Sequence, residues 1–150
     1  MFEIWDFFGN VIHEYDGDSL VGANLQFVDL RNADLRGANL RNANLRHANL
    51  TNACLVSAIL RDACLCEADL REANLFGTYL RYADLSGADL RGANLCKADF
   101  RNANLRRTNM SMAKLAGADL RGATIDAEVV GIDIETLFAA LGVNYEKGES

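Results

Sequence analysis

From Leu25 to Ile125 every fifth residue is a large apolar side chain, and no other feature of the chain limits its fold so strongly. Of the 21 positions in that run 18 are Leu, the others being Phe100, Met110 and Ile125. The residue two places earlier is Ala in 18 cases, with Val28, Thr78 and Thr108 as exceptions. The residue just before the centre is Asp or Asn in 15. A helix brings its apolar face round every ~3.6 residues and a strand about every 2, so a period of five suits neither as a continuous element. A strict short period over two thirds of a 150-residue chain indicates a solenoid.

The period fits a short extended step followed by a bend. In Ala33-Asp34-Leu35, strand alternation points Ala33 and Leu35 to one side and Asp34 to the other. Arg36 and Gly37 must then turn the chain so that Ala38 faces the same interior. Gly or Asn fills the last slot at Gly37, Asn42, Asn52, Gly77, Gly87, Gly92, Asn102, Gly117 and Gly122, which is turn chemistry. The Asp/Asn slot offers acceptors for nearby backbone N–H groups. The chain contains no Pro, which would remove ladder donors.

The segments ANLRN, ADLRG, ANLRH and ADLSG resemble the pentapeptide repeat, A(D/N)LXX, over residues 18–125. The resemblance implies an all-β solenoid, a right-handed quadrilateral β-helix with four pentapeptides and hence twenty residues per coil. Residues 23–125 would then make about five coils about 4.8 Å apart, a rod roughly 25 Å tall.

Solenoid ends expose raw strand edges that invite aggregation unless covered. Residues 1–17 read as an N-terminal cap: Phe2 to Phe8 and Val11 to Tyr15 are β-rich runs joined by Gly9-Asn10, a two-residue hairpin turn. Trp5, Phe7, Phe8 and Tyr15 suit a plug over the first coil. Residues 126–150 read as a helical cap and tail, with Asp133 as N-cap and Ile134, Leu137, Phe138 and Leu141 on one face. Gly142 is placed to follow the helix, Val143 to pack back on Phe138, and residues from Asn144 to fray. The helix is read as a lid; a homodimer contact, which some related proteins make through C-terminal helices, is the alternative.

The formal charge is −6, but it is unevenly distributed. Residues 1–22 and 126–150 carry −5 each, whereas residues 23–125 carry +4. The acidity sits in the caps and the solenoid itself is mildly basic. No basic stretch followed by an apolar run opens the sequence, and no stretch approaches the ~20 apolar residues of a membrane span, so a cytoplasmic location is expected by default. Cys54, Cys64, Cys66 and Cys96 occupy outward slots, with Cys64 and Cys66 straddling inward Leu65. Without a CxxC pair, and with only His13 and His47 besides, ordinary reduced thiols are expected and no metal or cofactor.

Under a twenty-residue coil, positions twenty apart stack into columns. Arg41, Arg61, Arg81, Arg101 and Arg121 form one such column, with Asp62, Asp99 and Asp119 close by. Arg31, Arg71 and Arg91 stack on another wall beside Asp69 and Asp89. Both read as solvated faces of interleaved salt bridges rather than as nucleic-acid sites, since +4 is too little for non-specific binding and the acidic caps oppose it. A different surface breaks the pattern. Val56, Phe76 and Cys96 follow one column of centres, Ile59 and Tyr79 replace Asp or Asn across the adjoining corner, and Tyr82 lies beyond the next centre. Outward apolar side chains gathered on a charged rod mark a partner-binding patch.

The expected function is therefore that of a non-enzymatic protein-interaction or scaffolding module whose partner and pathway the sequence does not name. The resemblance implies an alternative, since some similar proteins mimic duplex DNA, bind DNA gyrase and protect it from quinolones. That role needs a strongly negative rod, and no loop insertion of the kind some such members carry breaks the register from Leu20 to Ile125. An enzyme is excluded by the lack of any Ser/His/Asp or Cys/His set and by paired acids such as Glu67 and Glu72 lying on convex surface.

Overall fold

The structure, a computed structural model, describes residues 2–126, 131–132 and 134–142. Its regular elements are two strands, β1 (Phe2–Trp5) and β2 (Val11–Tyr15), and a helix, α1 (Ile134–Leu141). Between them the chain winds as a solenoid with a pitch of twenty. Parallel backbone bridges join each outward slot to the residue twenty further on, from Asn24 with Asn44 through Asn104 with Thr124. The expected coil length is therefore observed directly. The walls are not continuous strands, however: each contributes one isolated bridge, because the extended step is only three residues long before the chain bends.

Five amides recur in every repeat, and their hydrogen bonds explain the composition. In the repeat beginning at Asn74, the Asn74 N–H donates to Ala53 (2.9 Å), Leu75 to Asn94 (2.8 Å) and Gly77 to Cys96 (3.0 Å), all carbonyls of neighbouring coils. The Thr78 N–H closes the turn on the Leu75 carbonyl (3.1 Å). The fifth amide, that of Phe76, donates to the Asn74 side chain, Oδ1 at 3.2 Å. Asp or Asn before the centre is thus the acceptor that completes the amide accounting. The residue two past each centre takes a positive φ, as the third residue of a type II turn does. Gly is not required there: Phe27, Glu67, Tyr82, Arg107 and Met112 adopt φ between 56° and 62°.

The interior is a stack of Leu and Ala. Centres from Leu25 to Leu120, Phe100 and Met110 included, are 7 % exposed or less. The exceptions to the Ala rule are accommodated chemically, since buried Thr78 donates its hydroxyl to the Leu55 carbonyl and Thr108 to that of Leu105, each at 2.7 Å. Ile125, the last centre, is only partly buried.

At the N-terminal end β1 and β2 pair antiparallel, with a bulge between Ile4 and Trp5. The turn is longer than expected. Phe7 and Phe8 leave the strand because the Asp6 carboxylate accepts the Phe8 and Asn10 amides (2.9 and 2.8 Å) and the Asn10 side chain (2.9 Å). This organises Asp6–Asn10 as one loop in place of a two-residue Gly9-Asn10 turn. The aromatic plug is likewise corrected. Ile4 (2 % exposed) enters the core with partly buried Ile12 and Tyr15 beside it, while Trp5, Phe7 and Phe8 stay exposed. The Asp34 amide donates to the Trp5 carbonyl (2.8 Å), tying the hairpin to the first coils.

At the other end Leu137 and Leu141 pack partly buried on the core and Ala140 is buried. The Leu120 amide donates to the Ala140 carbonyl (2.8 Å), and Gly142 ends the helix at φ +70°. Phe138 is half-buried. The expected roles of Asp133, Val143 and the tail from Asn144, and the side chain of Ile134, lie outside the described residues. Among the described residues no helix is long and apolar enough to cross a membrane.

Candidate interaction site

Most of the charged side chains on the outer surface are paired. Arg two residues after an Asp folds back on it in six repeats: Arg31 on Asp29, Arg36 on Asp34, Arg71 on Asp69, Arg91 on Asp89, Arg101 on Asp99 and Arg121 on Asp119. The guanidinium holds each of these carboxyls below its ordinary pKa; Asp119, gripped by Arg121 and flanked by Arg101, falls to about 2. The Arg column from Arg41 to Arg121 is largely such a screened ladder, in which Arg101 also reaches Asp119 (3.5 Å) and Asp62 takes Arg61 (3.2 Å) and Arg41 (3.8 Å).

The pattern fails at Ile59 and Tyr79. Neither side chain can pair the Arg two residues on, nor accept its amide. The Arg81 guanidinium lies over the Tyr82 ring (5.8 Å), as does that of Arg61 (5.6 Å). Its Nε is buried and hydrogen-bonded to nothing among the described residues. Ile59, Tyr79, Arg61, Arg81, Asp99 and Arg101 line a shallow groove of about 370 Å³.

The structure therefore divides the apolar patch. Ile59 and Tyr79 share this groove, and Tyr82 borders it beneath two guanidiniums. Phe76 sits on the adjoining wall under the Lys97 ammonium (5.4 Å), in the column that also holds half-buried Val56 and Cys96. Ile59, Phe76, Tyr79 and Tyr82 are 37, 38, 51 and 48 % exposed. Of the cysteines, Cys66 is buried rather than outward, and its Sγ lies 2.9 Å from that of Cys64. Burial, with Cys64 beside it, pushes the Cys66 thiol up to about 12. Trp5, Phe7 and Phe8 are also exposed, which the plug reading did not expect. The sequence reading also missed the deficit at Arg81, although its signal was present: an Arg directly after a centre that neither Asp nor Asn precedes, a feature Arg61 shares but answers through Asp62.

Models of the pentapeptide repeat, in eight copies, match residues 23–62, 53–92 and 83–122. The chain belongs to the pentapeptide-repeat family. Among solved structures of that family, a pentapeptide repeat protein (Rfr23) from the cyanobacterium Cyanothece 51142 is 34 % identical, with a TM-score of 0.68, over 74 % of this chain and 89 % of its own. Another, alr5209 from Nostoc PCC 7120, is 38 % identical with a TM-score of 0.63, over 65 % and 81 % of the two chains. QnrB1, a plasmid-mediated fluoroquinolone resistance protein, is 24 % identical with a TM-score of 0.43, over 69 % and 61 %. No curated protein matches. Pentapeptide-repeat proteins of this kind are solenoids, in agreement with the twenty-residue pitch.

Proposed function

We propose that this pentapeptide-repeat protein is a non-enzymatic interaction module that presents its flat walls to a protein partner. The observation that carries the reading is the exposure of Ile59, Tyr79 and Tyr82 about one groove, with Phe76 on the adjoining wall, on middle coils where Arg71, Arg91 and Arg101 are paired. Val56 and Cys96 extend that surface. Exposed apolar side chains on adjoining walls of a charged rod mark binding sites. The same reading takes the molecule as a right-handed quadrilateral β-helix of about five coils spanning 18–125, with 1–17 and 126–150 as caps. Because Leu137 and Leu141 pack toward the core, the helix acts as a lid and the protein is monomeric, which light scattering tests. Four free cysteines suit a reducing compartment, and a cytoplasmic setting belongs to this proposal. A solenoid carrying +4 gives no support to the gyrase-protecting alternative.

Affinity capture from the source cell, repeated with Phe76→Ser/Tyr79→Asn, tests the proposal. The partner should be lost from the double variant while the thermal midpoint holds, and should bind the wild-type protein when purified. Equal capture by both proteins would remove this surface from the reading.

A further inference from the structure

Resting on the interaction reading, we infer that the Arg81 groove receives a carboxylate from the partner, an Asp or Glu side chain next to an aliphatic or aromatic residue in an extended segment. The argument begins with one amide. In the repeat at Tyr79, four of five amides are bonded: Tyr79 to Ala58 (3.0 Å), Leu80 to Asp99 (2.8 Å), Tyr82 to Arg101 (3.2 Å) and Ala83 to Leu80 (3.1 Å). The Arg81 amide bonds to nothing among the described residues. One coil on, the equivalent Arg101 shows what is missing. The Asp99 carboxylate accepts from the Arg101 amide (3.2 Å), Nε (2.8 Å) and Nη2 (2.6 Å).

Arg81 thus lacks one carboxylate with a defined donor set. Its amide has no protein acceptor, and its Nε is buried and unpaired, which is costly. Neighbouring carboxylates make their hydrogen bonds elsewhere: Asp99, which feels the Arg81 charge, is bonded by Arg101, and Asp62 by Arg61. The guanidinium stem is long and rotatable, so swinging it onto an incoming carboxylate also releases Nε from burial.

The surroundings choose a peptide over a nucleic acid. A phosphate backbone following the Arg column would meet Asp99 and Asp119 on successive coils, where like charge repels it. A single carboxylate at Arg81 meets only Asp99, whose charge Arg101 already pairs, and stays clear of Asp119. Ile59 and Tyr79, exposed on the groove floor, fit the apolar residue beside that acid. Backbone pairing with the wall is not available, because Leu60, Tyr79 and Leu80 spend their amides on adjacent coils.

The test is selection of a displayed random nonapeptide library on the full chain, followed by affinity measurement of the recovered peptides as synthetic probes. The expected motif is Asp or Glu beside an aliphatic or aromatic residue, with at least tenfold weaker binding when the acid becomes Asn or Gln. Arg81→Gln should weaken binding by a similar factor. Tyr79→Asp, which supplies the missing carboxylate internally, should also block binding while leaving thermal stability unchanged or raised. Peptides that lack an acid but still lose affinity on Phe76→Ser/Tyr79→Asn would overturn this inference and leave the interaction module standing. Undiminished binding to Tyr79→Asp, or preference for a single-stranded oligonucleotide over every peptide, would overturn it outright; failure to select any binder would count against both readings.

Discussion

Asp99 lies one coil beyond Tyr79, joined to it by a parallel backbone bridge, and the exchange of carboxylate for phenol between these two residues decides which arginine is paired. Arg101 has a carboxylate in its own repeat; Arg81 has an aromatic ring. Every coil shares one backbone, so along the solenoid the walls differ through such column-by-column substitutions.

The core tolerates no such exchange. Leu75 is fully buried between coils, and Leu75→Ala should destabilise the protein by about 3 kcal/mol, measured by chemical denaturation. Leu75→Asp should leave no cooperative transition, since it buries an unpaired charge. Near-native stability in either variant would contradict the packed interior.

Acid should loosen the surface pairs in a definite window. The carboxyls of Asp29, Asp34, Asp69, Asp89, Asp99 and Asp119 are held below their ordinary values by the Arg two residues on, so their contribution is complete above the carboxylate range. It is lost as pH falls through the lowered values, down to about 2 for Asp119. Thermal midpoints should decline between about pH 4 and pH 2. The decline should be shallower in Asp119→Asn, and modest overall because the pairs are largely solvated.

Turn geometry predicts a stabilising change. Met112 is 87 % exposed at φ +62°, a conformation that glycine adopts without steric cost. Met112→Gly should raise stability by up to about 1 kcal/mol, partly offset by the freer unfolded chain, as read by thermal denaturation. A fall would show that the Met112 side chain contributes contacts worth more than the backbone strain.

Thiol reactivity should separate the cysteines. Cys66 is buried with its thiol pushed up to about 12, whereas Cys54 and Cys96 are half-exposed. Maleimide at neutral pH should modify Cys54 and Cys96 while sparing Cys66 until the chain unfolds, with mass spectrometry locating the adducts. Early labelling of Cys66 would contradict its burial.

The period of five made the interior legible because the same two inward positions recur at every turn, and wall columns followed once a pitch of twenty was adopted. Other features were hidden because they depend on one side chain meeting one backbone group. Asp6 reshapes the hairpin loop through its carboxylate, which no alternation of apolar residues records. The positive φ of Tyr82 and Arg107 is imposed by the coil and not by their own preference. The patch residues were found as departures from the repeat, but the split between the Phe76 wall and the Tyr79 groove, and the orphan donors of Arg81, required geometry.

A pitch of four equal steps has an evolutionary corollary. Insertion of a single extra pentapeptide would keep every inward slot occupied yet carry all later side-chain columns a quarter of the way round the axis. Such a chain can therefore re-compose its exterior wholesale, by duplication or loss of five residues, while its interior goes on as before.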